Sequence, residues 1–317
     1  MTNFYGQYIG FGSAPSGGAA GVWIGGRGLI AGGSYGYLDV IEYTTIASTG
    51  NGTDFGNLTD GRYGLSGCAG GAGASTRGIF LAGLEPAHSE IIDYVTIAST
   101  GDAIDWGAAL TVAREYGHAG SNGVRGLNFA GYKAAPPISD VIDYVTIATT
   151  GSCLDFGDID VPRYGNMVCA DATKAICAGG YPAPVGNVIQ YVTVATVGNA
   201  VDFADLLEGR NFGNSCSNTT RGLIAGGGPS ASIPGDTIQY ITMATIGGDA
   251  IDFGNLTAIR EGMGAYASAT RACFSGGHPP VYSDQIQYVT IASLGDAANF
   301  GDLLSGKGGT LGACSGD

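Results

Sequence analysis

Basic charge is scarce in this sequence: 13 Lys and Arg stand against 27 Asp and Glu, for a net charge of −14. An acidic surface repels a phosphate backbone, which excludes nucleic acid as an expected partner. Histidine is scarcer still, with only His88, His118 and His278, spread over separate parts of the chain. Metal and acid–base chemistry need such groups to converge, so no cofactor, metal or catalytic set is expected. No apolar run approaches the roughly 18 residues of a membrane span, which argues against membrane insertion. The opening MTNFYGQYIGFGS lacks the basic and apolar regions of a secretory signal, and folding in a cytoplasm is expected. A sustained helical period is missing too, so helix content should be close to nil.

Glycine, at 58 residues, is plentiful instead, which suits tight turns and close-packed strands. The phrases VIEYTTIASTG, IIDYVTIASTG, VIDYVTIATTG, VIQYVTVATVG, TIQYITMATIG and QIQYVTIASLG place tyrosines at Tyr43, Tyr94, Tyr144, Tyr191, Tyr240 and Tyr288. Their spacings of 51, 50, 47, 49 and 48 residues are the mark of a propeller or solenoid built from one supersecondary unit.

Each unit opens with a short apolar strand behind a basic residue (Arg27, Arg77, Arg125, Lys174, Arg221, Arg271) and closed by glycine. A loop leads to the tyrosine strand, where Ile41, Tyr43, Thr45 and Ala47 alternate with Val40, Glu42, Thr44 and Ile46. Apolar groups on both faces predict a strand sandwiched between neighbouring sheets. A turn then precedes a third strand with one aromatic per unit: Phe55, Trp106, Phe156, Phe203, Phe253 and Phe300. Another basic residue follows, from Arg62 to Lys307, and then a strand of very small residues fit for a crowded axis. Four antiparallel strands repeated six times predict an all-β, six-bladed β-propeller closed by the chain termini. The strand after Lys307 is expected beside the Arg27 strand. Residues 19–317 are then the propeller, and Met1 to Gly18 a docking arm or a frayed end.

The units resemble the kelch repeat: a glycine pair after an apolar strand, a tyrosine, an aromatic, and an arginine before a glycine-rich strand. Phenylalanine stands where kelch units usually carry tryptophan, except at Trp106, and the second glycine is lost at Leu84 and Tyr132. The longer phrase DYVTIASTG…DFG…R is similar to propeller proteins of tailed bacteriophages. That resemblance implies a virion-associated structural or host-contact component made in the host cytoplasm, held to other virion proteins by the N-terminal arm and meeting a host surface protein or glycan. Two alternatives stay open: a glycan-binding or glycan-acting propeller, and an intracellular kelch-type interaction scaffold.

The kelch architecture also serves a copper oxidase, but a clustered tyrosine and histidine set cannot be assembled here. Asp54, Asp105, Asp155, Asp202, Asp252 and Asn299 fall one per unit and are expected to bond backbone amides at a turn rather than to gather round calcium. Glu42, Asp93, Asp143, Gln190, Gln239 and Gln287 precede the tyrosines and are expected to pair with the repeat arginines. The seven cysteines form no CxxC, and equivalent places in a ring face different neighbours, so free buried thiols are expected. The loops between the glycine and tyrosine strands vary from unit to unit and are rich in Tyr and Pro, whereas the opposite turns are uniform. Tyr35, Tyr37, His88, Tyr132, Tyr181, His278 and Tyr282 are the candidate contacts, unless those loops merely drift.

Overall fold

The computed structural model describes residues 26–34, 36–71, 76–182, 186–228, 235–278, 280–309 and 312–316. Met1 to Gly18 and Tyr35 therefore lie outside the described residues. Six four-stranded antiparallel sheets form, with one two-stranded hairpin (Leu84–Glu85 and Ala87–His88) and no helix among the described residues. The first strand of each sheet abuts the first strand of the next, and the sixth returns to the first, giving a six-bladed β-propeller.

From the axis outward, the first blade is Gly312–Gly316, Arg27–Ala31, Val40–Thr45 and Thr53–Asn57. The second is Ser66–Gly70, Arg77–Leu81, Ile92–Thr96 and Ile104–Asp105; the third is His118–Ser121, Arg125–Tyr132, Ile138–Thr146 and Leu154–Asp158. Met167–Ala170, Lys174–Ala178, Val188–Thr193 and Val201–Asp205 build the fourth. Asn214–Ser217, Arg221–Ala225, Thr237–Thr242 and Ile251–Asn255 build the fifth, and Gly264–Ala267, Arg271–Ser275, Gln285–Thr290 and Ala298–Asp302 the sixth. The innermost strand of the first blade thus comes from the far end of the chain, with Arg27 opposite Gly316.

Small residues form the inner strands because six of them crowd one axis. Tyr266 is the largest of the few bulky residues there: it turns sideways onto Gly28 of the next blade, where a Cβ would meet its ring at 2.0 Å, and its hydroxyl bonds Thr44 and Ser275. The tyrosine strands are buried on both faces, as Ile41 and Glu42 in the first blade illustrate. Six apolar clusters fill the ring, each spanning two adjacent blades. Cys68, Cys169, Cys177, Cys216 and Cys273 are buried free thiols, and burial pushes the Cys68, Cys169 and Cys273 thiols up to about 12.

A bulge sets the repeat aromatic. Ile41 faces Gly56 while Glu42 faces Asp54, leaving Phe55 as the extra residue, and the same shift recurs in every blade but the second. The bulge turns Phe55 inward and Asp54 outward to solvent. Each aromatic then meets its tyrosine edge-on: Tyr43–Phe55 at 6.0 Å, Tyr94–Trp106 at 5.6 Å, Tyr144–Phe156 at 5.7 Å, Tyr191–Phe203 at 5.8 Å, Tyr240–Phe253 at 6.0 Å and Tyr288–Phe300 at 5.8 Å. An arginine covers the other side of the tyrosine in five blades, 4.6 to 4.9 Å from the ring centre, and its guanidinium reaches a backbone carbonyl of the following blade.

The glycine pair needs one correction. The second glycine is kept as Gly83 and Gly131; the first is the one replaced, by Ala82 and Ala130 at φ of 64° and 57°. Hydrogen bonds fix the register, because the N–H of Gly33, Gly83, Gly131, Gly180, Gly227 and Gly277 each donates to the carbonyl of the next repeat cation, Arg62, Arg114, Arg163, Arg210, Arg260 and Lys307. A Cβ on Gly131 would stand 2.7 Å from the Glu115 carbonyl, so that place tolerates only glycine. Leu84 and Tyr132 lie one residue farther on.

Candidate binding face

The segments that leave each outer strand and the loops that leave each arginine strand meet on one face. Isolated bridges join them: Tyr63 to Leu84, Glu115 to Tyr132, Tyr164 to Tyr181, Asn211 to Gly228 and Glu261 to His278. The repeat cations anchor this layer from below. Arg62 pairs with Asp93 at 2.8 Å, Arg114 with Asp143 at 2.7 Å, and Lys307 with Glu42, all fully or almost fully buried. In the fourth blade the acid has become Gln190, which accepts from Arg163 at 3.2 Å, while Arg163 takes its countercharge from Asp160 at 2.7 Å. In the fifth, Arg210 pairs with Glu208, and Gln239 instead accepts the Leu207 N–H at 2.8 Å. Gln287 accepts from Thr257 in the sixth. Where the strand acid turns amide in the fourth and fifth blades, a carboxylate in the adjoining loop takes over the charge.

Above these cations runs a ring of backbone around the axis. Gly64, Tyr116, Gly165, Phe212, Gly262 and Gly309 occupy equivalent places, all at φ between 54° and 86°. Their main chains link head to tail: Gly64 donates to Gly309, Tyr116 to Gly64, Gly165 to Tyr116, Phe212 to Gly165 and Gly262 to Phe212, at 2.7 to 2.9 Å. Four of the six are glycine, as left-handed backbone favours; Tyr116 and Phe212 take that conformation with full aromatic side chains.

Those two side chains seed a continuous aromatic patch. Tyr116 meets Phe212 edge-on at 5.2 Å, Tyr63 at 6.0 Å and Tyr164 at 6.5 Å. Tyr63 stacks on Tyr37 at 5.7 Å; Tyr164 touches Tyr132 at 5.2 Å and Tyr181 at 5.4 Å; and Tyr132 touches His88 at 5.6 Å. Tyr37 and Tyr181 are exposed, and the other members half-buried. The candidates Tyr37, His88, Tyr132 and Tyr181 thus join one network. His278 and Tyr282 form a separate pair at 5.5 Å, although Tyr282 lies near enough to help raise the Tyr63 and Tyr116 phenol pKa values.

Two carboxyls sit beneath the rings. Glu115 Oε1 is 3.7 Å from His88 Nδ1, and Glu261 Oε1 is 3.6 Å from His278 Nδ1. Burial pushes both carboxyls up to about 7. Their Oε2 atoms are buried with no hydrogen-bond partner. His118 belongs elsewhere, inside the third blade, where burial lowers it to about 4.

The sequence signal for Tyr63, Tyr116, Tyr164 and Phe212 is the string RYG, REYG, RYG and RNFG, an aromatic wedged between repeat arginine and glycine. It reads as the start of the small-residue strand. Tyr116 and Phe212 occupy the left-handed place themselves, whereas Tyr63 and Tyr164 stand just before its glycine.

On the opposite face, the residue after the turn glycine caps the outer strand of the preceding blade in every blade but the third. Asn51, Asp102, Asn199, Asp249 and Asp296 accept from the N–H of Asp302, Asn57, Asp158, Asp205 and Asn255. The role expected of Asp54 and its equivalents falls largely to this set, since the bulge leaves them facing solvent. Asp105 and Asp155 bond only the amide two residues on. Comparison of the chain with protein-family models and with curated proteins returns no match.

Proposed function

We propose that this propeller is a non-enzymatic recognition module that works through its variable-loop face, carried on the virion of a tailed bacteriophage as a host-contact or decoration component. The observation that carries the recognition role is the division between faces. One face is made of uniform turns locked to neighbouring blades, whereas the other gathers the variable loops and a patch of eight linked rings, of which Tyr37 and Tyr181 are 43% and 44% exposed. Partly exposed tyrosines on a rigid frame give large contact area at small conformational cost. The virion placement rests on the kelch-like and phage-like phrases of the sequence, and with it go a host surface molecule as the partner of this face and other virion proteins as partners of residues 1–18.

A glycan is the second reading for the partner, favoured by the same exposed rings. Mass spectrometry of purified particles tests the placement, and absence of the protein from particles would exclude it. Exchanging the loops around Tyr132 and Tyr181 should redirect adsorption while incorporation persists. Deleting residues 1–18 should leave a folded ring that no longer incorporates.

A further inference from the structure

We propose that the mouth of the axis on the variable-loop face is a binding site for an alkylammonium group, seated against Tyr63, Tyr116 and Tyr164 with Glu115 as its counter-ion. This rests on that face being the recognition surface and names the chemistry it reads.

Glu115 carries the argument. Its side chain is 8% exposed, and Oε2 has no hydrogen-bond partner, which is costly for a carboxyl unless something charged completes it. The nearest cation candidate, His88, stops at 3.7 Å from the other oxygen, beyond a hydrogen bond. The free oxygen lies beside the inner ring of backbone: a Cβ built on Gly64 would stand 3.3 Å from Oε2 and 3.3 Å from the Tyr116 ring. Burial, and after it the neighbouring Glu115 carboxylate, raises the phenol pKa values of Tyr63, Tyr116 and Tyr164.

Aromatic faces around a desolvated carboxylate attract a cation rather than an anion or a neutral polyol. Tyr116 is held there at φ 54°, a conformation its neighbours in the ring reach as glycine, so the ring is placed at a cost in backbone strain. The repeat arginines that might have neutralised the site are spent below it on Asp93, Asp143 and Asp160. A net charge of −14 adds a field that gathers cations.

The ligand group is a primary ammonium, which both lies over rings and donates N–H to Oε2; a lysine side chain and an amino sugar each present one. The titratable groups facing Glu115 are His88, Tyr63, Tyr116 and Tyr164. The carboxyl gains its charge as pH passes neutrality, so affinity should rise between pH 6 and pH 8.

The test is an NMR titration of the full chain with n-butylammonium, choline and n-butanol. Butylammonium should bind more tightly than choline, and butanol should not bind. Glu115→Gln should weaken binding roughly tenfold and remove its pH dependence, and Tyr116→Gly should weaken it to a similar degree. Asp249→Asn, which removes a charge from the opposite face at a place where Asn51 and Asn199 stand in other blades, should change nothing. Equal binding of butanol, choline as tight as butylammonium, or indifference to Glu115→Gln would overturn the proposal. If no ammonium binds while loop exchange still redirects adsorption, the ammonium site fails and the recognition face stands. N-acetyl-lysine amide and glucosamine, titrated side by side, distinguish a protein from a glycan source.

Discussion

The Arg271 guanidinium donates to the Ile46 carbonyl at 3.0 Å, joining the sixth blade to the first across 225 residues of chain. The same bond runs from Arg27 to Ile97, Arg77 to Ile147, Arg125 to Val194 and Arg221 to Ile291. The fourth blade breaks the series: Lys174 turns to Asp171 at 3.3 Å instead. An ammonium on a flexible stem lacks the planar fork that lies over a tyrosine and still reaches beyond it. Arg271→Lys should therefore lower the unfolding free energy by about 1 kcal/mol, and Lys174→Arg should raise it by a similar amount, in urea titrations. Equal stability of both variants and the parent would show the bond to be idle.

The buried ion pairs differ in how they should respond to loss of the acid. Asp143→Asn leaves the Arg114 guanidinium fully buried without a countercharge and should cost about 3–5 kcal/mol. Asp160→Asn should cost less, because Asp160 is 47% exposed and Gln190 still accepts from Arg163. Thermal denaturation of the two variants gives the order directly, and the reverse order would contradict the pairing scheme.

Two tyrosines give opposite expectations. Tyr144 is held between Arg125 at 4.8 Å and Phe156 at 5.7 Å, and Tyr144→Ala should destabilise by about 3 kcal/mol. Tyr116→Gly trades a half-exposed ring for a residue at ease at φ 54°, recovering strain on the order of 1 kcal/mol, and should leave stability nearly unchanged. A large loss in the second variant would mean that Tyr116 is a packing residue.

Much of this fold was legible because a period near fifty and an alternation of two overlie each other for six turns. The six blades and the inner position of the small-residue strands follow from that pattern, whereas the tyrosine–aromatic contacts depend on a bulge that interrupts the alternation. The arginine clips do not, since their acceptors are backbone carbonyls such as those of Ile46 and Ile97, which leave no mark in side-chain identity. The aromatic mouth was hidden for a different reason. Tyr116 and Phe212 stand where the repeat otherwise writes glycine, and only the positive φ shared with Gly64 and Gly165 shows them to be equivalent. Four loop candidates proved to belong to one patch because their neighbours, Tyr63, Tyr116 and Tyr164, come from segments that looked structural.

His118 should make the protein acid-sensitive. Its folded pKa, about 4, lies below the ordinary value of 6.5, so the unfolded chain binds more protons between those limits. This contribution is complete above pH 6.5 and is lost as pH falls, reaching about 2 kcal/mol of lost stability at pH 5. Glu115 and Glu261 act in the other sense: their raised pKa values favour the folded state at low pH and weaken it as pH climbs from 4.5 through 7. His118→Asn, a change that copies Asn214 at the equivalent place in the fifth blade, isolates the histidine. The variant should lose less stability than the parent between pH 7 and pH 5, as read by urea midpoints, and parallel losses would rule out the buried imidazole as the cause.

The exchange of strand acid for loop acid has a consequence beyond stability. Glu42, Asp93 and Asp143 hold their charge inside the wall of the ring, whereas Asp160 and Glu208, 47% and 59% exposed, hold theirs at the rim. The backbone repeats six times around the axis, yet the placement of these five charges does not. A cation approaching along the axis feels Asp160 and Glu208 at the rim before it feels the acids sealed in the wall, and an anion is turned away by the same two groups.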